Sequence, residues 1–189
     1  MIGLFGGSFD PIHHGHLLAA QAAVEALGLA ELRFVPAREQ PFKEGRHGAL
    51  PDDRAAMIGL AIEAEPRFGL ERCELNRPGP SYTVDTLRQL RAREPGAEFV
   101  LLVGSDAAAD LPLWREAAAI PELAQVVIFA RGGGPLPASG FPAVRVPAVE
   151  ISATAIRRRV REGLPIRWWV PAPVADYIAA HRLYLDGEG

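Results

Sequence analysis

The chain has 189 residues, 49% of them hydrophobic and 23% charged, which suits one ordinary folded domain with a real core and leaves no room for two large independent ones. A formal charge of -3 excludes a global positive field that would draw the chain to nucleic acid or an anionic membrane, so any anion site must be local. The single Cys73 excludes an internal disulfide framework; with no basic-then-apolar leader pattern and no apolar run near the ~20 residues that span a bilayer, the cytoplasm is the expected compartment.

In chain order, "IGLF" (2–5) reads as a short strand running into glycines, and "HLLAAQAAVEALG" (16–28) as a helix, because Leu17, Ala20, Val24 and Leu27 keep helical spacing. Gly28 suits the left-handed position after a helix, and "LRFVPA" (32–37) is a second strand, giving a right-handed βαβ unit. The pattern recurs with a helix over 51–66, a strand over 68–75, a helix over 82–94, and buried strands over 98–104 and 124–130. A Gly/Pro-rich loop (132–142) precedes a short strand at "AVRVP" and two helices, 153–163 and 171–183. The fold class is therefore α/β, a Rossmann-like doubly wound parallel sheet over 1–150 with a small C-terminal helical subdomain over 151–189, together one domain.

Four segments carry candidate chemistry. Strand one delivers Gly6, Gly7 and Ser8 to the edge where open α/β sheets bind ligands; the glycines either let a ligand approach the backbone or simply make a tight turn. His13 and His16 flank Gly15 at a helix start, where exposed amides, the positive helix end and two imidazoles can converge on a phosphate, while His14 reads as solvated. A zinc site is disfavoured, because no cysteine pair or HExxH pattern accompanies the histidines. In "EISATAIRRRVREG", Ser152 can cap a helix and, with Thr154 and Arg157, offer hydroxyl and guanidinium donors to an anion; Arg158 and Arg159 read as solvated, and all three arginines as cations set against the helix dipole. The 36–51 loop carries Arg38, Lys43, Arg46 and His47 beside the glycine loop and reads as a capture loop. Asp106 stands just past a buried strand; Trp114 either packs in the core or stacks on a ligand, and Trp168 and Trp169 are assigned to packing.

Taken together, "GGSFDPIHHGH", "ELNRPGPSYTVDTL", "GSD" with "LPLW", and "ISATAIRRRV" resemble, in the same order, the bacterial nicotinate-nucleotide adenylyltransferases of the HxGH nucleotidyltransferase superfamily. The resemblance covers nearly the whole chain. It implies transfer of adenylate from ATP to nicotinate mononucleotide, giving nicotinate adenine dinucleotide and pyrophosphate in NAD synthesis. It further implies that Gly6, Gly7, Ser8, Phe9, His16, Asp106, Ile151, Ser152, Thr154 and Arg157 bind ATP, with Asp106 at the ribose. His13, His16, Lys43 and Arg157 would act in catalysis, Lys43, Thr83 and Trp114 would hold the mononucleotide, and Mg²⁺ would arrive on the ATP phosphates. Two positions depart from the family's habit: Phe42 precedes Lys43 where histidine is usual, and Arg115 follows Trp114 where an aromatic is common.

No activated nucleophile is needed, because the acceptor's own phosphate is mostly dianionic at neutral pH. Rival readings are a related enzyme with another acceptor, such as phosphopantetheine or nicotinamide mononucleotide, an NAD-dependent dehydrogenase, and a nucleotide sensor without turnover. The dehydrogenase reading lacks a full GxGxxG and an acid after "FVPAR". Neither a nucleic-acid nor a membrane partner is expected; homo-oligomerisation is left open.

Overall fold

The computed structural model describes residues 1–39, 48–132 and 140–185. Six strands form one parallel sheet: β1 (Ile2–Gly7), β2 (Glu31–Pro36), β3 (Phe68–Leu70), β4 (Phe99–Gly104), β5 (Gln125–Arg131) and β6 (Ala143–Val146). Their order is β3-β2-β1-β4-β5-β6, so the chain reverses its direction of travel between β1 and β4. That reversal is where a doubly wound sheet opens a crevice. The register sharpens the point: β1 pairs with β4 only as far as Phe5↔Leu102, but with β2 as far as Gly7↔Pro36. Gly6 and Gly7 therefore leave one edge of β1 unpaired above the crevice.

Both faces of the sheet are covered, as an all-parallel sheet requires. Period-2 alternation divides the strand residues between two apolar layers, and β4 shows it plainly. Val100 and Leu102 face the layer that holds α1 (His14–Leu27), α2 (Pro51–Ile62), α6 (Ala153–Arg161) and α7 (Ala172–Ala180). Phe99, Leu101 and Val103 face the layer of α3 (Thr83–Arg93), α4 (Ser105–Ala108) and α5 (Ile120–Leu123). Ile156, Val170, Val174 and Ile178 lie in the first layer with Val24 and Ile58, so the C-terminal helices share their core with the sheet. Among the described residues no helix is long and apolar enough to cross a membrane.

Helix α1 begins two residues earlier than its apolar spacing suggests, which brings His16 into its first turn, and it ends at Gly28 with φ 60°, as a left-handed cap demands. Strand β3 stops at Leu70 instead of continuing to Leu75. The cause is local: the Glu71 side chain takes the backbone N–H of Cys73 at 2.9 Å and pairs with Arg93, so the chain turns away from the sheet edge. Between β4 and β5 the chain makes α4, 3₁₀ turns at Leu111–Leu113 and Ala117–Ala119, and α5, none of which the apolar pattern announces.

Candidate active site

The first half of the site is built where β1 runs into α1. His13 is the cap residue of α1, with an extended backbone at φ -148° and ψ 169°. Its backbone N–H donates to Nδ1 of His16 at 3.3 Å, which places the His16 ring proton on Nε2. The two imidazoles stack with centroids 3.7 Å apart, and the rings of Phe5 and Phe9 stand edge-on to His16 at 6.1 and 5.0 Å. His16 is thus a donor on an orientation fixed by packing, at the amide-rich end of a helix. The ring of Phe9 is core, which leaves its main chain for a ligand; Phe9 has φ 50°, a left-handed conformation that a bulky residue adopts only when its surroundings hold it there.

The arginine-rich segment meets the same place. Ser152 caps α6 by accepting from the Ala155 N–H at 3.2 Å, and Arg157 donates to the Asp10 carbonyl at 2.7 Å. A Cβ built on Gly15 would stand 3.8 Å from the Ile151 carbonyl and 3.1 Å from the His13 ring, so both motifs approach within one side-chain width. His14 is half-buried and its backbone N–H donates to the Trp169 carbonyl at 3.2 Å. Helix α6 ends at Arg161, which puts Arg158, Arg159 and Arg161 in its last turn. Their charges favour the dipole there, the opposite of the sequence expectation, because the helix is only nine residues long and Arg158 already lies in its C-terminal half. Arg158 is solvated as expected; Arg159 instead donates to the Pro165 carbonyl and lies over the Trp169 ring at 4.9 Å. Trp169 packs against the core, whereas Trp168 is 86% exposed and does not pack, because its neighbour takes the inward position.

The second half is a cavity of ≈ 670 Å³ at the β1/β4 reversal. Gly6, Gly7, Thr83, Asp106 and Trp114, all singled out from sequence, line it together, and Arg115 joins them at its rim. Thr83 is the first residue of α3, Asp106 sits in the first turn of α4, and Trp114 is half-buried, with part of its ring in the α3-side core. Arg115 lies over the Tyr82 ring at 4.7 Å, which shows what occupies the position where the family commonly carries an aromatic. The glycine loop is the shared wall: Gly6 and Gly7 face the cavity, and the residues after them lead to His13, His16 and Arg157.

A profile of the cytidylyltransferase-like family matches residues 4–159. A protein of Thermus thermophilus, described as "Probable nicotinate-nucleotide adenylyltransferase", is 50% identical over 185 residues, spanning 97% of this chain and 98% of its own. A protein of Thermomicrobium roseum with the same description is 43% identical over 99% of this chain and 92% of its own. The chain belongs to the nicotinate-nucleotide adenylyltransferase family. Among solved structures, a Plasmodium falciparum nicotinic acid mononucleotide adenylyltransferase complexed with NaAD superposes with a TM-score of 0.80 at 21% identity, over 99% of this chain and 98% of that one. At that identity the likeness is one of fold.

Within this family member, three features went unseen in the sequence reading. Asp10 is 2% exposed, and its carboxylate accepts from the Gly48 N–H at 2.7 Å, the Ala49 N–H at 3.1 Å and the Tyr184 hydroxyl at 2.7 Å. Arg54 is wholly buried and donates to the Ser8 carbonyl at 2.7 Å and the Arg38 carbonyl at 3.4 Å, clamping the ends of β1 and β2. Burial pulls the Arg54 guanidinium below its ordinary value, against the opposing pull of Asp10 and Tyr184. Tyr184 is pushed up by burial and by the neighbouring Asp10 charge. The third feature is Glu74, a buried carboxyl at the cavity wall, whose desolvation raises it above the usual carboxylate range. A readable signal existed for Arg54: it falls three and four residues before Met57 and Ile58, on the apolar stripe of α2.

Lys43, Phe42, Arg46 and His47 lie outside the described residues. Arg38, from the same loop, turns away from the crevice and donates to the Leu75 carbonyl at 2.9 Å.

Proposed function

We infer that the chain transfers the adenylyl group of ATP to nicotinate mononucleotide, releasing pyrophosphate and forming nicotinate adenine dinucleotide, a late step of NAD synthesis. The observation that carries this reading is the 50% identity, over nearly the full length of both chains, to a relative so described. The geometry supports it, because one glycine loop borders both a cavity of ≈ 670 Å³ and the cluster of His13, His16 and Arg157.

In this reading the acceptor's ring lies in the cavity beside Thr83 and Trp114, with Lys43 at its phosphate. ATP lies along Gly6 to Phe9, with Asp106 at its ribose and with His13, His16, Ile151, Ser152, Thr154 and Arg157 around its phosphates. The acceptor phosphate oxygen attacks the α-phosphorus as the bond to pyrophosphate breaks. The protein aligns the two anions and meets the growing charge with the Nε2–H of His16 and the guanidinium of Arg157. Arg157 is held by the Asp10 carbonyl at 2.7 Å with the Asp10 carboxylate 3.8 Å away, so a phosphate would draw it as a stronger, closer anionic acceptor. Mg²⁺ would be carried by the ATP phosphates, where it would neutralise charge. The substrates are those of the cytoplasm, where we place the chain.

The test is pyrophosphate release with ATP and a panel of nicotinate mononucleotide, nicotinamide mononucleotide and phosphopantetheine. The acid mononucleotide is expected to give the highest kcat/KM, since the first-turn amides around Thr83 favour a carboxylate. Equal efficiency with the amide, or a better rate with phosphopantetheine, would overturn the acceptor assignment.

A further inference from the structure

Glu74 has no part in the chemistry above, yet it is 8% exposed and lines the cavity next to Ser81, Tyr82 and Thr83. A buried carboxyl is costly unless its oxygens are held. Here the Thr86 hydroxyl donates to Glu74 Oε1 at 2.6 Å, while Arg77 Nη2 donates to the same hydroxyl oxygen at 3.0 Å. The same hydroxyl lies 3.3 Å from the Tyr82 carbonyl, a longer and weaker alternative, so its single proton goes to Glu74 at 2.6 Å. Ser81 also interacts with the carboxyl and in turn accepts the Arg38 N–H at 3.0 Å. Among the described residues Glu74 makes no ion pair. The groups that face it are Arg77 and Glu71 from its own segment, Tyr82 from the turn before α3, and Asp106, Asp110 and Arg115 across the cavity.

We propose that Glu74 is a specificity-determining residue: its carboxyl, fixed at the cavity wall by Thr86 and Ser81, decides whether the ring pocket takes an acid or an amide substituent. This rests on the acceptor reading given above. A protonated Glu74 presents an O–H donor to a carboxylate. An ionised Glu74 repels that carboxylate and accepts from an amide NH₂ instead. Burial favours the neutral form and Thr86 the ionised one, so the switch lies above the usual carboxylate range.

The test is the ratio of kcat/KM for nicotinate mononucleotide to that for nicotinamide mononucleotide, followed against pH in the full-length enzyme. Both acceptors carry the same phosphate, so its titration cancels in the ratio. In the unmodified enzyme the ratio is expected to fall several-fold as pH rises. In Glu74→Gln, which offers a permanent NH₂ donor, it should be flat and high, with the KM for ATP unchanged. Thr86→Val removes the donor that favours the ionised form and should move the fall to higher pH, which keeps the idea testable if Glu74→Gln folds poorly. A flat ratio in the unmodified enzyme, the same slope in Glu74→Gln, or no shift in Thr86→Val would overturn the inference and leave the acceptor reading intact. Absence of turnover of nicotinate mononucleotide by the unmodified enzyme would instead overturn that reading.

Discussion

Tyr184→Phe isolates one bond that closes the molecule. The hydroxyl lies 2.7 Å from Asp10 Oδ1, between groups that are 6% and 2% exposed, so water does not replace what is lost. The phenyl ring stays and leaves no cavity, and the carboxylate keeps its two backbone donors, Gly48 and Ala49. What remains is one hydrogen bond to a charged acceptor, about 1.5–3 kcal/mol. Equilibrium unfolding in urea, with a slope of about 1–3 kcal/mol/M, should therefore show a midpoint lower by about 1 M and an unchanged slope. Tyr184→Ala adds the loss of the ring and should cost about 3–5 kcal/mol. In a double-mutant cycle with Asp10→Asn, the coupling should be at least ~0.5 kcal/mol. A Tyr184→Phe cost below ~0.5 kcal/mol, or strict additivity with Asp10→Asn, would refute the view that this bond is made and dry.

His16→Ala should lower kcat by about 10²–10³ while leaving the KM for the mononucleotide nearly unchanged, because the Nε2–H meets charge that grows in the transition state; initial rates at saturating ATP decide it, and near-normal turnover would sink the role. Burial pushes the Cys73 thiol up to about 12, so iodoacetamide should label it only after denaturation, and stoichiometric labelling of the native protein at pH 8 would contradict this burial. Glu74 is raised in the folded state, so its contribution to stability is complete below the ordinary glutamate range and is lost as pH rises through its folded value. The Tm of Glu74→Gln relative to the unmodified protein should accordingly climb from pH 4 to pH 8, and a difference independent of pH would count against the shift. Lys43→Ala should raise the KM of the mononucleotide more than that of ATP, and an equal rise in both would remove Lys43 from the acceptor phosphate.

The sheet was legible because parallel strands buried on both faces write themselves as short apolar runs, and "EFVLLVG" and "AQVVIFA" became β4 and β5 nearly residue for residue. The grouping of His13, His16 and Ser152 was legible for another reason: its parts lie at helix starts, and Ser152 is a standard capping residue. What escaped depends on contacts between distant segments. No spacing rule links Asp10 to Tyr184, and only the folded chain shows that Glu74 faces the cavity. The short turns from Ser105 to Leu123 are each below the length at which a helical period can be recognised. β3 ended early because one side chain, Glu71, took over a donor that strand continuation would have used.

The bond between Asp10 and Tyr184 also bears on the order in which the molecule is put together as it is made. A chain still on the ribosome has made its glycine loop and both histidines well before Tyr177 and Tyr184 emerge. Until they do, the Asp10 carboxylate lacks its tyrosine, and α7 is not in place against α2, where Tyr177 reaches Asp53 at 2.9 Å. Domains that fold as they are translated normally gain their parts in order. Here the glycine loop is made early and waits for Tyr184, 174 residues further on, before Asp10 has its full set of partners.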